Sequence, residues 1–156
     1  MTPDEFIKAI APSAQASAAK TGIPASFTVA EAALESGWGG SQLAAQACNL
    51  FGVKADPAWK GPVLAMQTRE YLGGKWTMVP ANWRKYPNWQ GCMDDHAQFL
   101  LTNRRYRPCF SCSTGEAFAR AVATAGYATD PQYADKIIAV IRAHNLGRLD
   151  VKGGAA

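Results

Sequence analysis

The residue best placed to do chemistry is Glu35. It lies in Glu31-Ala-Ala-Leu-Glu-Ser-Gly-Trp-Gly-Gly40, which opens with the strong helix formers Ala, Leu and Glu and breaks at Gly37-Trp38-Gly39-Gly40. A carboxylate at that end of a helix meets the negative end of the backbone dipole. Partial burial against Leu34 and Trp38 adds to this, and both effects favour the neutral acid. A carboxyl that keeps its proton near neutral pH is a general acid. The reaction that most plainly needs one is protonation of a departing sugar oxygen as an oxocarbenium-like state develops. Helix-end glutamates also occur as plain surface residues, so placement alone does not make a site.

The other reactive side chains read more simply. His96 follows Asp94 and Asp95, which would suit a metal or a relay, but two adjacent acids and one His lack ligand spacing. The plain reading is an acidic first turn with a helix-packed imidazole. Ser36 has no GxSxG elbow around it and reads as a hydrogen-bonding support for Glu35. Cys109-Phe-Ser-Cys112 has CxxC spacing without a second pair or histidines, and Arg107-Pro108 precedes it where a thioredoxin-like motif needs a strand. With Cys48 and Cys92, that leaves free thiols or disulfides in any of three pairings. Arg104-Arg105-Tyr106-Arg107 reads as a solvated turn.

The elements that must position these groups follow from periodicity and punctuation. Thr2-Pro3-Asp4-Glu5 opens a helix with a capping hydroxyl, a first-turn proline and two acids; Phe6, Ile7, Ile10 and Ala11 keep its apolar stripe and Gly22 closes it. Pro24 and Ser26 start a second helix that ends after Ser36, and a short helix covers Ser41 to Ala47. Val63–Tyr71 and Lys75–Val79 flank Gly73-Gly74 as a β-hairpin, fenced by prolines at 57, 62, 80 and 87. Trp89, Met93, His96/Ala97 and Leu100 restore helical spacing. Ser113-Thr-Gly-Glu116 reads as a capping box for a helix ending near Gly126. Asp130-Pro131 caps a last helix with Tyr133, Ile137, Ile138 and Ile141 on one face and Gly147 as terminator.

At 156 residues the chain fits one domain, expected over residues 1–150, with a disordered tail at 151–156. No window approaches the run of about 20 apolar residues that a membrane span needs. MTPDEFIKAI carries two acids before its first Lys and no long apolar core, so no secretory signal is expected. The net charge of +4 favours an anionic partner, such as nucleic acid, anionic lipid or the acidic bacterial wall, without choosing among them.

Leu34-Glu35-Ser36-Gly37-Trp38-Gly39 followed by Asn49-Leu50-Phe51-Gly52-Val53-Lys54 resembles the glucosaminidase domains of glycoside hydrolase family 73, the peptidoglycan-cleaving domains of autolysins and flagellar rod-cap proteins. The resemblance continues in order through Thr68-Arg69-Glu70-Tyr71 before Gly74-Lys75 and through Trp83-Arg84-Lys85-Tyr86 before Asp94/Asp95 and Phe99-Leu100-Leu101. It ends with Gly126-Tyr127-Ala128-Thr129-Asp130-Pro131 and Tyr133-Ala134-Asp135-Lys136-Ile137. Each motif is weak alone; together they span about residues 3 to 146. One departure is Cys48, which stands before Asn49 where the family often has a small polar residue.

The resemblance implies an α+β, mostly α, lysozyme-like helical domain with a small β-hairpin lobe over a cleft. It implies hydrolysis of the β-1,4 bond after N-acetylglucosamine, with Glu35 as the acid, Glu70 as the hairpin carboxylate and Tyr127 beside the acid. Substrate contacts are expected at Trp38, Asn49, Phe51 and Tyr133, with Trp76 and Trp83 as further stacking candidates. No metal or organic cofactor is implied. If Glu70 is the base, the hairpin must close to bring it near; the alternative is attack by the sugar's own acetamido oxygen. Three rival readings remain: a lytic transglycosylase or muramidase, a non-catalytic wall-binding module, and a basic DNA-binding domain, whose affinity would fall steeply with salt. A monomer acting in the periplasm or cell wall is expected, delivered by a secretion system or by phage lysis. The first route would supply a cognate immunity protein blocking the cleft.

Overall fold

The computed structural model describes residues 1–150; the tail expected at 151–156 lies outside them. Six α-helices form its body. α1 (Pro3–Thr21) is capped by the Thr2 hydroxyl as expected, with Glu5 completing a capping box, and ends at Gly22 with φ 80°. Its buried residues Phe6, Ile7, Ile10, Ala14 and Ser17 recur at three- and four-residue steps, so one face turns inward.

α2 (Ala25–Ser36) is different. Every residue from Ala25 to Ala33 is buried, including Glu31. A helix without a polar face belongs at the centre of a domain. α1, α5 (Gly115–Thr124) and α6 (Tyr133–Ala143) all pack against α2. α4 (Trp89–Thr102) packs on α1, and α3 (Gln42–Ala47) leads from the glycine-rich break towards the sheet region. Phe27 of α2 meets Phe118 of α5 edge-on at 4.8 Å. The closest approach falls at Gly115, where a Cβ would stand 2.0 Å from Ser26 Oγ.

The β region holds one more layer than the hairpin expected from the sequence. β2 (Thr68–Leu72) and β3 (Lys75–Val79) pair antiparallel with Glu70 opposite Thr77 and Tyr71 opposite Trp76. Gly73 and Gly74 turn between them at φ 56° and 80°, the two positive angles that a tight two-residue hairpin needs. Outside this pair, β1 (Val63–Ala65) and β4 (Asn82–Arg84) form a second one, placing Leu64 opposite Trp83. The single long first strand expected from Val63 to Tyr71 is therefore interrupted, because Met66 and Gln67 leave the ladder between the two pairs.

Several local expectations are corrected. Arg104–Ser111 is a 3-10 helix rather than an open turn, since Tyr106 and Cys109 are buried on one side of it. Thr114, not Ser113, caps α5, and Glu116 turns away from the cap to pair with Arg142 at 2.7 Å. α6 starts at Tyr133: Asp130 accepts from the Gln132 amide at 2.8 Å, so the acid builds the preceding turn. α6 ends at Ala143, and Gly147 lies inside a second 3-10 helix (Leu146–Leu149). All four cysteines are free thiols.

Candidate active site

The site grows from the way α2 ends. Gly37 and Trp38 both take left-handed backbone angles, φ 57° and 58°, and the Trp38 amide closes back on the Ala33 carbonyl at 2.9 Å. Ser36 secures this reversal. Its hydroxyl donates to Ala32 O at 2.6 Å and accepts from the Gly39 amide at 2.8 Å. It therefore fixes the glycine turn and does not touch Glu35, as the sequence had suggested it would.

Glu35 stands in the last turn of α2, exposed at the protein surface. Its carboxyl is nevertheless pushed above the usual carboxylate range. Loss of water around it is the largest cause, and the like charge of Glu31 adds to it; His96 and Lys136 pull the other way and are outweighed. Glu31 sits four residues earlier on the same helix, where side chains are about 5–6 Å apart at Cβ.

Glu31 is the residue that sequence reasoning missed. Its side chain is completely buried and is hydrogen-bonded through both oxygens. His96 Nε2 lies 2.7 Å from one carboxylate oxygen and the Tyr133 hydroxyl donates to the other. The Tyr127 hydroxyl lies 3.3 Å from His96 Nε2, and its dipole also favours the charged form of the carboxylate. Burial alone would raise this carboxyl, but the charge and hydrogen bond of His96 and the two tyrosine hydroxyls outweigh it and hold it below the usual range. Two carboxyls one turn apart are thus driven in opposite directions, which is the pattern of an acid and its charged neighbour. The signal was present: a glutamate inside Phe27–Leu34, an otherwise apolar run broken only by Thr28, must have buried partners.

His96 is helix-packed as expected, stacked on Phe51 at 4.1 Å with 15° between the rings. The acidic residues before it do not form the first turn, because α4 already begins at Trp89. Asp95 instead accepts from Arg84 at 2.8 Å and from the Tyr86 hydroxyl at 2.6 Å, and burial together with that carboxylate pushes the Tyr86 hydroxyl up. Among the described residues no three His, Cys, Asp or Glu side chains gather to hold a metal ion.

A cleft of about 310 Å³ opens beside this network, with Phe51, Lys54, Arg84, His96, Phe99 and Tyr127 in its wall. Neither Glu35 nor Glu70 is part of that wall. Each is linked to it through one lining residue. Tyr127 lines the cleft and feels the charge of Glu35. Lys54 lines it and holds Glu70 Oε1 at 2.9 Å from its Nζ. The phenol of Tyr127 is driven upward, first by burial and then by the Glu31 charge, so it remains a hydroxyl donor throughout the physiological range.

The expected sugar contacts divide. Phe51 lines the cleft, and Trp38 is half-buried, edge-on to His144 at 4.7 Å. Tyr133 is buried beneath the cleft and spends its hydroxyl on Glu31. Asn49 is fully enclosed: its amide donates to Val53 O and Arg84 O, both at 2.9 Å, and its oxygen accepts from Val53 N at 3.1 Å. That side chain locks the 49–53 loop onto β4. Trp83 is likewise a strut, donating its indole N–H to Met66 O at 2.8 Å, whereas Trp76 is 62% exposed on the hairpin.

A helical body with a small β lobe and a glutamate at the end of its central helix defines the lysozyme-like class of glycoside hydrolases. Residues 11–146 match the glucosaminidase family, described as mannosyl-glycoprotein endo-beta-N-acetylglucosaminidase. The chain belongs to this family, glycoside hydrolase family 73. It is 41% identical over 150 residues to the exo-glucosaminidase LytG of Bacillus subtilis, covering 93% of this chain and 52% of LytG. The glycoside hydrolase domain of FlgJ from Salmonella typhimurium superposes with a TM-score of 0.80 at 35% identity, covering 92% of this chain and 97% of that one. The catalytic domain of the autolysin Auto from Listeria monocytogenes gives 0.84 at 31%, covering 94% and 86%. The chain spans about half the length of the curated relatives it matches, 52% of LytG and 45% of the Salmonella FlgJ.

Proposed function

We infer that this protein hydrolyses the β-1,4 bond on the reducing side of N-acetylglucosamine in peptidoglycan, with Glu35 as the general acid. The observation that carries the reading is the opposed pair on α2, a charged Glu31 beneath a Glu35 carboxyl held above its ordinary range. Family membership and the names of the relatives, a glucosaminidase and peptidoglycan hydrolases, support the substrate class. In this reading Glu35 hands its proton to the bridging oxygen, the bond from the anomeric carbon to that oxygen breaks, and water completes the sugar. Glu70 is the candidate base on the hairpin, reaching the cleft when it lets go of Lys54. Tyr127 donates towards the acetamido group or the developing charge.

Glu35→Gln tests the reading. General acid catalysis contributes about 10²–10⁴-fold, so the variant should lose at least 10²-fold in release of reducing ends from purified sacculi while keeping its unfolding temperature. Clearing at the native rate would mean that another group donates the proton. Mass spectrometry of the products separates the rival on the same polymer: hydrolysis leaves a reducing N-acetylglucosamine, a transglycosylase leaves an anhydro-sugar. Binding to sacculi with no products would leave a wall-binding module.

The same reading places the protein's action in the cell wall or periplasm, and extends to delivery into a rival cell as a secreted effector. The +4 charge suits the acidic wall. A neighbouring gene for a small immunity protein that blocks the cleft would favour the effector, and a holin gene a phage endolysin.

A further inference from the structure

We propose that Glu31 is the positioning residue of this site: a buried carboxylate socket that fixes the Tyr127 hydroxyl and the His96 ring against the helical turn carrying Glu35. The proposal rests on the reading of Glu35 as the acid and adds the group that organises it. Three separate elements converge on this one side chain. His96 comes from α4, at 2.7 Å; Tyr133 from the first turn of α6; Tyr127 from the segment between α5 and α6. Two of these residues also have a task at the cleft. His96 and Tyr127 form part of its wall, and Phe51 stacks on His96.

A buried carboxylate is costly unless its oxygens are fully paired, so a chain retains one where an apolar residue would pack more simply only if the charge does something. Here the neighbours on every side define what it does. Glu35 faces it from its own helix, one turn on. His96 faces it from α4, Tyr133 from α6, Tyr127 from the preceding segment, and Tyr106 from the first 3-10 helix at longer range. Lys136 of α6 acts on Glu35 in the opposite sense. The net like-charge effect of Glu31 on Glu35 favours the protonated acid. A general acid works only while protonated, so its rate falls as pH rises through its own pKa. Removing the Glu31 charge lowers that pKa and moves the alkaline limb to lower pH.

Glu31→Gln keeps the shape and one acceptor and removes the charge. Two measurements on the full chain decide the matter. The first follows the Glu35 carboxyl by 13C NMR titration and needs no activity; its midpoint should fall in the variant. The second is the pH profile of kcat/KM on solubilised glycan strands. At the pH where the native enzyme is halfway down its alkaline limb the variant should lose about threefold or more, with a smaller loss on the acid side. A folded Glu31→Gln protein whose Glu35 midpoint and alkaline limb both stay in place would overturn the proposal, leaving Glu31 a purely structural residue. If that variant does not fold, Glu31→Leu, which removes the charge and fills the socket with an apolar side chain, is read in the same two ways and decides it. Native protein that titrates as expected but releases no sugar would instead sink the functional reading and leave this one standing.

Discussion

Lys54 and Glu70 meet at 2.9 Å across the mouth of the cleft, joining the loop after Phe51 to the β2–β3 hairpin. Both side chains remain substantially exposed, 56% and 39%, so the pair is screened by solvent and contributes between about 0 and 1 kcal/mol to folding. A contact this weak is easily exchanged for another. It therefore leaves Glu70 free to change partners when a glycan occupies the cleft.

If Glu70 is the base, Glu70→Gln should lose about 10²-fold or more in kcat with its unfolding temperature unchanged. Lys54→Ala should unfold within about 4 °C of the native protein, because an exposed pair is worth at most about 1 kcal/mol. A Glu70→Gln enzyme within about tenfold of native would assign the second step to the substrate's acetamido oxygen instead. Reducing-end assays on both variants separate the two routes.

Asn49 gives a prediction that runs against the sequence-based expectation of a sugar contact. Its side chain makes three hydrogen bonds to the backbone of Val53 and Arg84. Asn49→Ala should cost about 2–3 kcal/mol, because it orphans groups in the enclosed 49–53 loop. KM for a soluble glycan should stay within about twofold at temperatures where the variant is folded. A direct substrate contact would give the reverse, a raised KM at native stability. Urea unfolding and steady-state kinetics together tell them apart.

Gly115 is the tightest helix contact. A methyl group there would fall 2.0 Å from Ser26 Oγ and 3.2 Å from the Phe27 backbone nitrogen, and the backbone atom cannot swing aside. Gly115→Ala should destabilise the fold by about 1–3 kcal/mol, despite the better helix propensity of alanine. In a domain of this size each kcal/mol lowers the unfolding temperature by about 2–4 °C, which a thermal scan resolves.

Acid stability should depend on Glu31. Its folded pKa lies below the ordinary value of 4.5, so its contribution is fully present above that pH and is lost as pH falls through the lower, folded value. Tyr133→Phe removes one donor and narrows the gap. That variant should lose about 1.5–3 kcal/mol at pH 7 and then show a shallower decline below pH 4.5 than the native protein. Urea titrations at several pH values measure both.

Much of the helical frame is readable from local chemistry. The Thr2 cap, the apolar stripe of α1, the break at Gly37 and the turn at Gly73-Gly74 each rest on a few adjacent residues, and each appears where expected. What escapes a local reading depends on distant partners. Glu116 has the spacing of a capping box but is taken by Arg142, which lies on α6. β1 has its partner in β4, on the far side of the inner hairpin in the sequence. Glu31 reads locally as one more helix former, because its hydrogen-bond partners lie far along the chain, at His96 and Tyr133. Glu35 was legible because the glycine break beside it is local. The residue beneath it was not.

The inner hairpin exposes Tyr71, Leu72, Trp76 and Met78, at 49–62%, and buries none of its large side chains in the core. Substitutions at its tip should therefore leave the melting behaviour of the helices almost untouched. A designer, or natural variation, can rewrite those four positions and so alter what the hairpin presents to a ligand, while the machinery that folds the body never registers the edit.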